Sequence, residues 1–498
     1  MAYIGLDIGT TGAKASLIGA DGTELFVYYK EYDLRFPGHG RVEMRPDDVW
    51  SVVKEVVKAT VRASVGQVEA ISVASFGEAA VMLDKNGQSV RDSIFYTDIR
   101  GTGELEHLRA GVDIDRLQRV TGMPVNYMYT LLKLMWLKKN EPQVFDRIDK
   151  LLLYGSYIEY MLTGIAATDA SLASRTLLFD RQRFDWDRDI CDQYGISLSW
   201  LPQYVPAGSV IGNVLPDVAA ELGLSRKTTV VSGVHDQVAA ALGCGALHSG
   251  QVADGIGSAE CITAPLPENA DLETMFANNL CAEPHAVKGQ HVSLAFVNTA
   301  GASLKWYRDT FETQLKERCN ESGENAYDIL NRSISEEPSS LLFLPYMAGT
   351  GTPYMDGTAT GMLTGLTLRT KRPDIYRSIY EGVNFEMRRN IELLRRTGFS
   401  IPELICGGGG ASAEALQLKA DVLGMPVWML ENSQIGTVGL AMLCTVAMKR
   451  AKDFNEAAQY LVKRKRMIEP DDRFRQEYSD KYCQYLRMYE AFNMIYTH

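Results

Sequence analysis

The first thirty residues alternate between short apolar runs and clusters of turn-forming residues. Residues 3–6 read as a buried strand, 7–12 as a turn rich in glycine and threonine, 13–18 as a second strand, 20–22 as another turn and 24–29 as a third strand. Period-two segments broken by Gly, Asp and Thr predict an antiparallel meander. After Pro46 the period lengthens: Val49, Val52, Val53, Val56 and Val57 recur at helical spacing, so 47–63 reads as a helix with the proline at its start. Residues 68–74 read as a strand, 130–139 and 157–162 as helices, and 230–234 as a buried strand running into a helix over 236–242. A second glycine hairpin, 254–258, lies between strand-like 251–253 and 260–264. An apolar run at 341–346 precedes a Gly-, Thr- and Pro-rich loop at 348–356, and 373–397 is a long helical stretch. Residues 403–406 enter four successive glycines, Ser412 opens a helix to 423, and 426–430 reads as a strand. The tail, 449–498, has a helical pattern with Tyr and Arg that predicts packing against the body of the protein.

The two glycine hairpins share an order of strand, Asp, Gly, Thr or Ser, strand, at 7–10 and again at 254–258. Turns of this kind recur by chance in a chain with 43 glycines, but the placement of one at the head of each half favours a duplication. No low-complexity linker intervenes, and the boundary is expected between Gly245 and Gly250. Residues 1–246 are therefore expected to form one domain and 247–498 a second with the helical tail. A length of 498 residues allows two large α/β domains flanking a cleft.

Composition narrows the function classes. An apolar share of 46% supports buried cores, and a net charge of -11 argues against a partner whose phosphates need a basic stripe, so no nucleic acid and no anionic membrane surface is expected. No run of about 18 apolar residues occurs and the chain opens directly on a strand, so neither a membrane span nor a targeting segment is expected. The eight cysteines are scattered without a CxxC pair, which suits buried thiols in a reducing, cytoplasmic setting. The histidines form no metal-binding spacing.

Neither a GxxxxGK[ST] loop nor a GxGxxG opening a helix after the first strand is present, so any nucleotide site uses another geometry. The first hairpin offers one. Its glycines admit a phosphate to the backbone, Thr10 and Thr11 add hydroxyls, Lys14 adds charge, and Asp7 at a strand end can orient Mg2+ or its waters. Alone this would be a structural hairpin; its pairing with Gly257 and Ser258 favours phosphate binding. The four glycines, including Gly408 and Gly409, serve no packing purpose visible in the sequence and permit a flat ligand to lie on backbone, with the helix start at Ser412 favouring polar or anionic groups. Asp236 sits where a buried strand meets a helix start. It suits both an N-cap and a base that takes the proton of a substrate hydroxyl. His235 reads as a core residue or a support behind that carboxylate.

In chain order these segments are Gly5-Leu-Asp7-Ile-Gly9-Thr10-Thr11-Gly-Ala-Lys14, Tyr96-Thr-Asp98-Ile-Arg100, Thr168-Asp169-Ala-Ser171-Leu-Ala-Ser174-Arg175-Thr176, His235-Asp236-Gln237, Gly257-Ser258, Ala300-Gly301-Ala-Ser-Leu-Lys-Trp306, Glu381-Gly382-Val383 and Gly407-Gly-Gly-Gly-Ala-Ser412. The ordered set resembles the FGGY carbohydrate kinases of the actin/hexokinase/Hsp70 ATPase superfamily, from Tyr3 to about Ala447. The resemblance implies an α/β fold of two RNase-H-like (actin-like ATPase) domains with a central ATP/substrate cleft. It implies Asp236 as catalytic base, Asp7 as the magnesium-associated carboxylate, Thr10, Thr11, Lys14, Gly257 and Ser258 on the phosphates of ATP, and Gly301, Gly408, Gly409 and Ser412 around the adenosine. Gln237 matches a substrate contact beside the base in the glycerol kinase branch. Xylulokinases carry Met-His or Gln-His after the strand at 68–74 and glycerol kinases Arg-Glu; this chain carries Gly77-Glu78. Glu78 and Asp98 are candidate hydroxyl acceptors, and two carboxylates fit a neutral polyol or ketose better than a sugar acid.

The expected activity is ATP- and Mg2+-dependent phosphorylation of a small sugar or polyol, a ketopentose such as xylulose foremost, at a terminal hydroxyl. Erythrulose, ribulose and a glycerol-like acceptor stay open, as does a non-catalytic sugar-sensing protein on the same fold. An iron–sulfur ATPase activator is disfavoured by the absence of paired cysteines. Dimers are common among such relatives, so a homodimer is an expected assembly.

Overall fold

The computed structural model describes residues 2–496; Met1, where the first expected domain begins, and Thr497 and His498, which end the expected tail, lie outside the described residues. The opening meander forms β1 (Ala2–Ile8), β2 (Gly12–Gly19) and β3 (Glu24–Glu31), paired antiparallel. Helix α1 (Pro46–Ala63) has Pro46 in its first turn and buries the predicted valine stripe. Strand β4 (Val68–Ser75) follows, then α2 (Thr130–Asn140), α3 (Tyr154–Thr163) and the short α4 (Ala170–Ser174). Strands β5 (Val210–Asn213) and β6 (Thr229–His235) lead into α5 (Asp236–Cys244). The second half contributes β7 (Ala253–Ile256), β8 (Glu260–Pro265), β9 (His291–Val297), α6 (Gly301–Phe311), the long α7 (Arg372–Arg396), β10 (Leu404–Gly407), α8 (Ala413–Leu423) and β11 (Val427–Leu430). It ends with α9 (Ile435–Ala447), α10 (Phe454–Leu461), β12 (Arg464–Ile468), α11 (Arg475–Tyr485) and α12 (Met488–Tyr496).

The chain divides into two compact units. The first holds Met1–Leu247, Cys281–Val292 and Gln434–Val462; the second holds His248–Leu280, Ser293–Ser433 and Lys463–His498. The first sheet runs β5-β6-β4-β1-β2-β3 and the second contains β12-β11-β10-β7-β8-β9. These six strands of the second, seven-stranded sheet match the order of the first. In each, a glycine hairpin joins an antiparallel pair (β1–β2, β7–β8), the first strand of that pair is parallel to its other neighbour (β4, β10), and an antiparallel edge strand closes the far side (β5, β12). The shared order of the two halves is thus a property of the sheets, as the repeated hairpin predicts.

The helical reading of the tail misses β12, which pairs antiparallel with β11. Its sequence, Arg-Lys-Arg-Met-Ile, is exposed at the first four positions. Charged side chains on an edge strand discourage further pairing, and they also hide the apolar alternation that would have revealed it. Beyond it Tyr478, Tyr482 and Tyr485 of α11 bury against Phe385 of α7.

In the first unit, Ile4, Leu6 and Ile8 of β1 share a core with Val49, Val53, Val56 and Val57 of α1. Gly5 points to the opposite face because alternate strand residues do. A Cβ there would lie 2.8 Å from Thr437 of α9, so that face carries α9 at very close range. Helix α9 also crosses α5 through paired glycines. A Cβ on Gly243 would fall 1.8 Å from the Ile435 carbonyl oxygen, and one on Gly439 would fall 1.9 Å from that of Ala239. No side chain fits without separating the helices. Gly439→Ala and Gly243→Ala are each expected to lower unfolding free energy by about 1–3 kcal/mol or more, the cost of overpacking a tight contact; urea denaturation measures this, and Gly424→Ala, where a Cβ meets nothing within 4 Å but φ is +64°, calibrates the backbone component.

Candidate active site

Asp236 is the first residue of α5, immediately after β6. It does not act as an N-cap: His235 holds the capping position and no side chain caps the helix, so the carboxylate is free for other work. The strand end that presents it is pinned irregularly. The ladder between β6 and β4 slips between Val231 and Val234. At the slip, Gly233 donates its N–H to Glu159 Oε1 of α3 at 2.7 Å, and a Cβ there would lie 1.7 Å from the Val73 carbonyl oxygen. His235 donates its N–H to Ser171 Oγ at 2.9 Å, and Ser171 is fixed by Asp169, the cap of α4, at 2.7 Å. A bulge braced by two helices re-aims the residues that follow it.

From Asp236 a chain of alternating charges runs inward. His235 Nε2 lies 3.1 Å from Asp236 Oδ1, and its Nδ1 lies 2.8 Å from Glu283 Oε1. Arg175 donates through Nη1 to Glu283 Oε2 at 2.8 Å and through Nε to Glu78 Oε1 at 2.5 Å. Glu283 is fully buried, and Asp236, 26% exposed, is the end that meets the surface of the unit. Burial pushes the Asp236 carboxyl up to about 6; His235 opposes the rise, while Asp7 and Glu78 add to it. Burial would lower the His235 imidazole, but Glu283 and Asp236 outweigh it and the net shift is upward. Glu283 shows the converse: burial would raise it, yet His235 and Arg175 hold it below the ordinary carboxylate range.

The Gly77-Glu78 pair follows from this chain. A Cβ on Gly77 would meet Arg175 Cδ and Nε at 2.8 Å, so glycine makes room for the guanidinium. Glu78 adopts φ +66°, a region costly for residues with a Cβ, and Thr130 Oγ1 anchors its carbonyl at 2.5 Å. Gln237 lies half-buried beside Asp236. Asp98, expected as a hydroxyl acceptor, is committed elsewhere. It is fully buried, Oδ1 and Oδ2 both take the Arg100 side chain, and the backbone N–H groups of Val42 and Arg100 donate to it at 2.6 and 2.7 Å. Burial alone would raise its carboxyl; these donors hold it low. Four donors leave it a structural brace.

Asp7 and Lys14 face each other across β1 and β2. The turn between them is closed by Gly9 N–H to the Gly12 carbonyl at 3.0 Å, with Thr10 half-buried and Thr11 exposed, its hydroxyl 3.0 Å from that of Tyr29. Removal from water raises the Asp7 carboxyl and Lys14 opposes the rise. The matching carboxylate of the second sheet, Asp254, is fully buried and paired with Lys419 at 2.7 Å, so only the first hairpin leaves its acid accessible.

In the second unit Gly257 and Ser258 form the exposed tip of the other hairpin. Their carbonyls accept from Gly301 and Ala302 at 3.1 and 3.0 Å, docking the hairpin on the start of α6, where a Cβ on Gly301 would lie 2.5 Å from the Gly257 oxygen. A cavity in this unit is lined by Ile256, Gly301, Leu304, Tyr380, Asn384 and Gly410. Ser412 caps α8 and accepts from Asn331 at 3.2 Å. The four glycines correct the expectation that packing does not need them. Gly408 has φ +103° and its Cβ would meet the Ile256 oxygen at 2.4 Å, while that of Gly410 would meet Ile256 Cγ2 at 2.5 Å. Gly409 alone faces open space, with nothing within 4 Å.

Family models match both halves: the N-terminal domain of the FGGY family of carbohydrate kinases over residues 2–243 and the C-terminal domain over residues 261–448. The chain belongs to the FGGY family of carbohydrate kinases. It is 31% identical to the xylulose kinase of Bacillus subtilis (strain 168), with 99% of this chain and 96% of that one aligned, and 25% identical to the gluconokinase of the same organism over 92% and 90%. The crystal structure of xylulose kinase from Rhodospirillum rubrum superposes with a TM-score of 0.83 at 26% identity, covering both chains fully. As an FGGY kinase the protein is an ATP-dependent phosphotransferase acting on a small sugar.

Sequence reading of this FGGY kinase places Asp236, Gln237, Gly77 and Glu78 in one unit; Asp236 and Glu78 form the two ends of the charge chain, with Gln237 next to Asp236 and Gly77 packed against Arg175. It assigned no role to Arg175, although that residue stands inside a quoted motif, and it overlooked Glu283, which carries no local signal. The glycine run supplies a direct check. Gly408→Ala is expected to destabilise the protein by about 1–3 kcal/mol through steric overlap and its left-handed backbone. Gly409→Ala should leave the melting temperature unchanged, as differential scanning calorimetry would record.

Proposed function

We propose that this protein transfers the γ-phosphoryl group of ATP to a terminal hydroxyl of a neutral ketopentose, with xylulose as the leading acceptor and Asp236 as the general base. The observation that carries the reading is the accessible Asp236 carboxylate at the end of a buried strand, with a proton affinity raised toward neutrality. A base works best when its pKa approaches the working pH, because it is then both ionised and able to hold the proton it takes. Glu78, at the other end of the charge chain, and Gln237 beside the base supply polar groups for the remaining hydroxyls. Relatives named xylulose kinase along the full length support the choice of acceptor. The concentration of carboxylates at Asp7, Glu78 and Asp236 disfavours a sugar acid, despite the gluconokinase relative, because like charges repel in a site partly removed from water.

Thr10, Thr11 and Lys14 on the first hairpin, and Gly257 and Ser258 on the second, are assigned to the phosphates; Gly301, Gly408, Gly409 and Ser412 are assigned to the adenosine. Among the described residues no cluster of three or more His, Cys, Asp or Glu is suited to a metal. Asp7, half-buried at the base of the first hairpin, fits Mg2+ held by one carboxylate together with waters and phosphate oxygens. When bound, Mg2+ would neutralise charge on the transferring phosphoryl group. Asp236 orients the attacking hydroxyl and accepts its proton, and Lys14 adds positive charge on the phosphate side. Among the described residues no helix is long and apolar enough to cross a membrane. Seven of the eight cysteines are buried and none forms a disulfide among the described residues, which favours a reducing, cytoplasmic setting.

Coupled ADP-release assays with xylulose, ribulose, erythrulose, glycerol and gluconate test the acceptor. Xylulose should give a kcat/KM at least about tenfold above the others; a preference for glycerol or gluconate would reject the assignment. Asp236→Asn should lower kcat by about 10²–10⁴-fold while ATP affinity, measured by calorimetry, stays near that of the unaltered protein. The sign of the pH dependence follows from the raised carboxyl: protonation inactivates, so kcat/KM should fall as pH drops through about 6. An acid limb near the ordinary aspartate value would contradict the burial argument.

A further inference from the structure

Glu283 is a fully buried carboxylate that touches neither end of the site, and it comes from Cys281–Val292, a segment separated in sequence from every other member of the charge chain. It stands on a short antiparallel pairing with Val292, and the backbone N–H of the neighbouring Ala282 donates to the Gly122 carbonyl at 2.7 Å. A residue so firmly held can define the position of what it binds. Its two oxygens divide between two partners: Oε1 faces His235 Nδ1 and Oε2 takes Arg175 Nη1, each at 2.8 Å. One partner leads to Asp236, the other to Glu78.

We propose that Glu283 is the positioning residue of the reaction, acting through His235 to hold the Asp236 carboxylate in its reactive setting and through Arg175 to hold Glu78 toward the sugar. The inference rests on Asp236 being the base. With Nδ1 of His235 directed at a carboxylate, the ring carries a proton there, and Nε2 is turned to Asp236 Oδ1. One oxygen of Asp236 is thereby engaged, and the other is left for the substrate hydroxyl. The guanidinium works in the same way: with one nitrogen fixed by Glu283, its remaining donors bind Glu78 Oε1 and leave Oε2 for the acceptor. The charged groups facing Asp236 are His235 on its own junction, Asp7 on β1, and Glu78 and Arg175 from the other segments packed around it. Glu283 is the one carboxylate of the charge chain within ion-pair distance of both cationic members, His235 and Arg175.

The test uses the full-length enzyme with ATP and its best sugar acceptor. Glu283→Gln keeps the shape of the side chain and removes its charge. It should lower kcat by about tenfold or more, raise KM for the sugar and leave KM for ATP unchanged. It should also move the acid limb of kcat/KM upward, because an unprotonated His235 no longer opposes the rise in Asp236. Glu283→Asp, which restores the charge, should recover part of the loss. A merely structural Glu283 would lower the yield of folded enzyme and its melting temperature without moving the limb. An unmoved limb with kcat within about twofold of the unaltered protein overturns the proposal. If Glu283→Gln does not fold, His235→Asn must reproduce the shift, and its failure to do so also overturns the proposal. The base assignment is scored separately: an active Asp236→Asn enzyme refutes that reading, whereas an inactive one together with an unmoved limb in Glu283→Gln refutes only the role of Glu283.

Discussion

The approach of α5 and α9 is the constraint on which the first unit depends. Two glycines, Gly243 and Gly439, let the helices meet at backbone distance. The start of α5 carries Asp236, and the start of α9 lies by β1, where a Cβ on Gly436 would be 3.9 Å from Asp7 Oδ2. One crossing therefore fixes two carboxylates that belong to different elements, Asp7 on β1 and Asp236 at the start of α5. Because packed helices tolerate little change in spacing, the distance between those acids is set by residues that touch neither.

The charge chain is the second determinant, and its energetics differ from those of the crossing. Taking ions out of water costs several kcal/mol each, and a buried pair recovers this only with good geometry and full hydrogen bonding. Here Arg175 and His235 alternate with Glu78, Glu283 and Asp236, so each inner member has a partner on both sides. The arrangement is better understood as a way to hold positions than as a source of stability. It also explains why Gly77 and the left-handed Glu78 occur where they do: local backbone strain is accepted where the surroundings impose it.

Much of the fold was legible in the sequence. The opening meander, the valine stripe of α1, the strand-to-helix junction at Asp236 and the paired glycine hairpins all announce themselves by period or turn chemistry, which are local properties. What stayed hidden is not local. Glu283 lies in a segment with no motif of its own, and its importance depends on a fold that returns it to the first unit. Asp98 looked like a free acid because a sequence does not show that Arg100 and two amides occupy it. The glycine run looked like a ligand platform throughout, yet Gly408 and Gly410 are required by Ile256, and only Gly409 is open. Strand β12 escaped notice because charge on an edge strand erases the alternation by which strands are read.

The composition of the first unit bears on how the chain is made. Its sheet, its core and the helix that begins at Asp236 are all encoded before residue 247, but α9, which covers the other face of β1, is not. On the ribosome, domains tend to fold as they emerge, beginning with the N-terminal one. This one must wait with an uncovered face on its sheet while the whole of β7 to β11 is synthesised, until Val462 has left the exit tunnel. Asp7 and Asp236, the carboxylates proposed for the chemistry, thus reach their final setting only after the chain has been made through α9, and a nascent product stopped before it would carry the motif without its geometry.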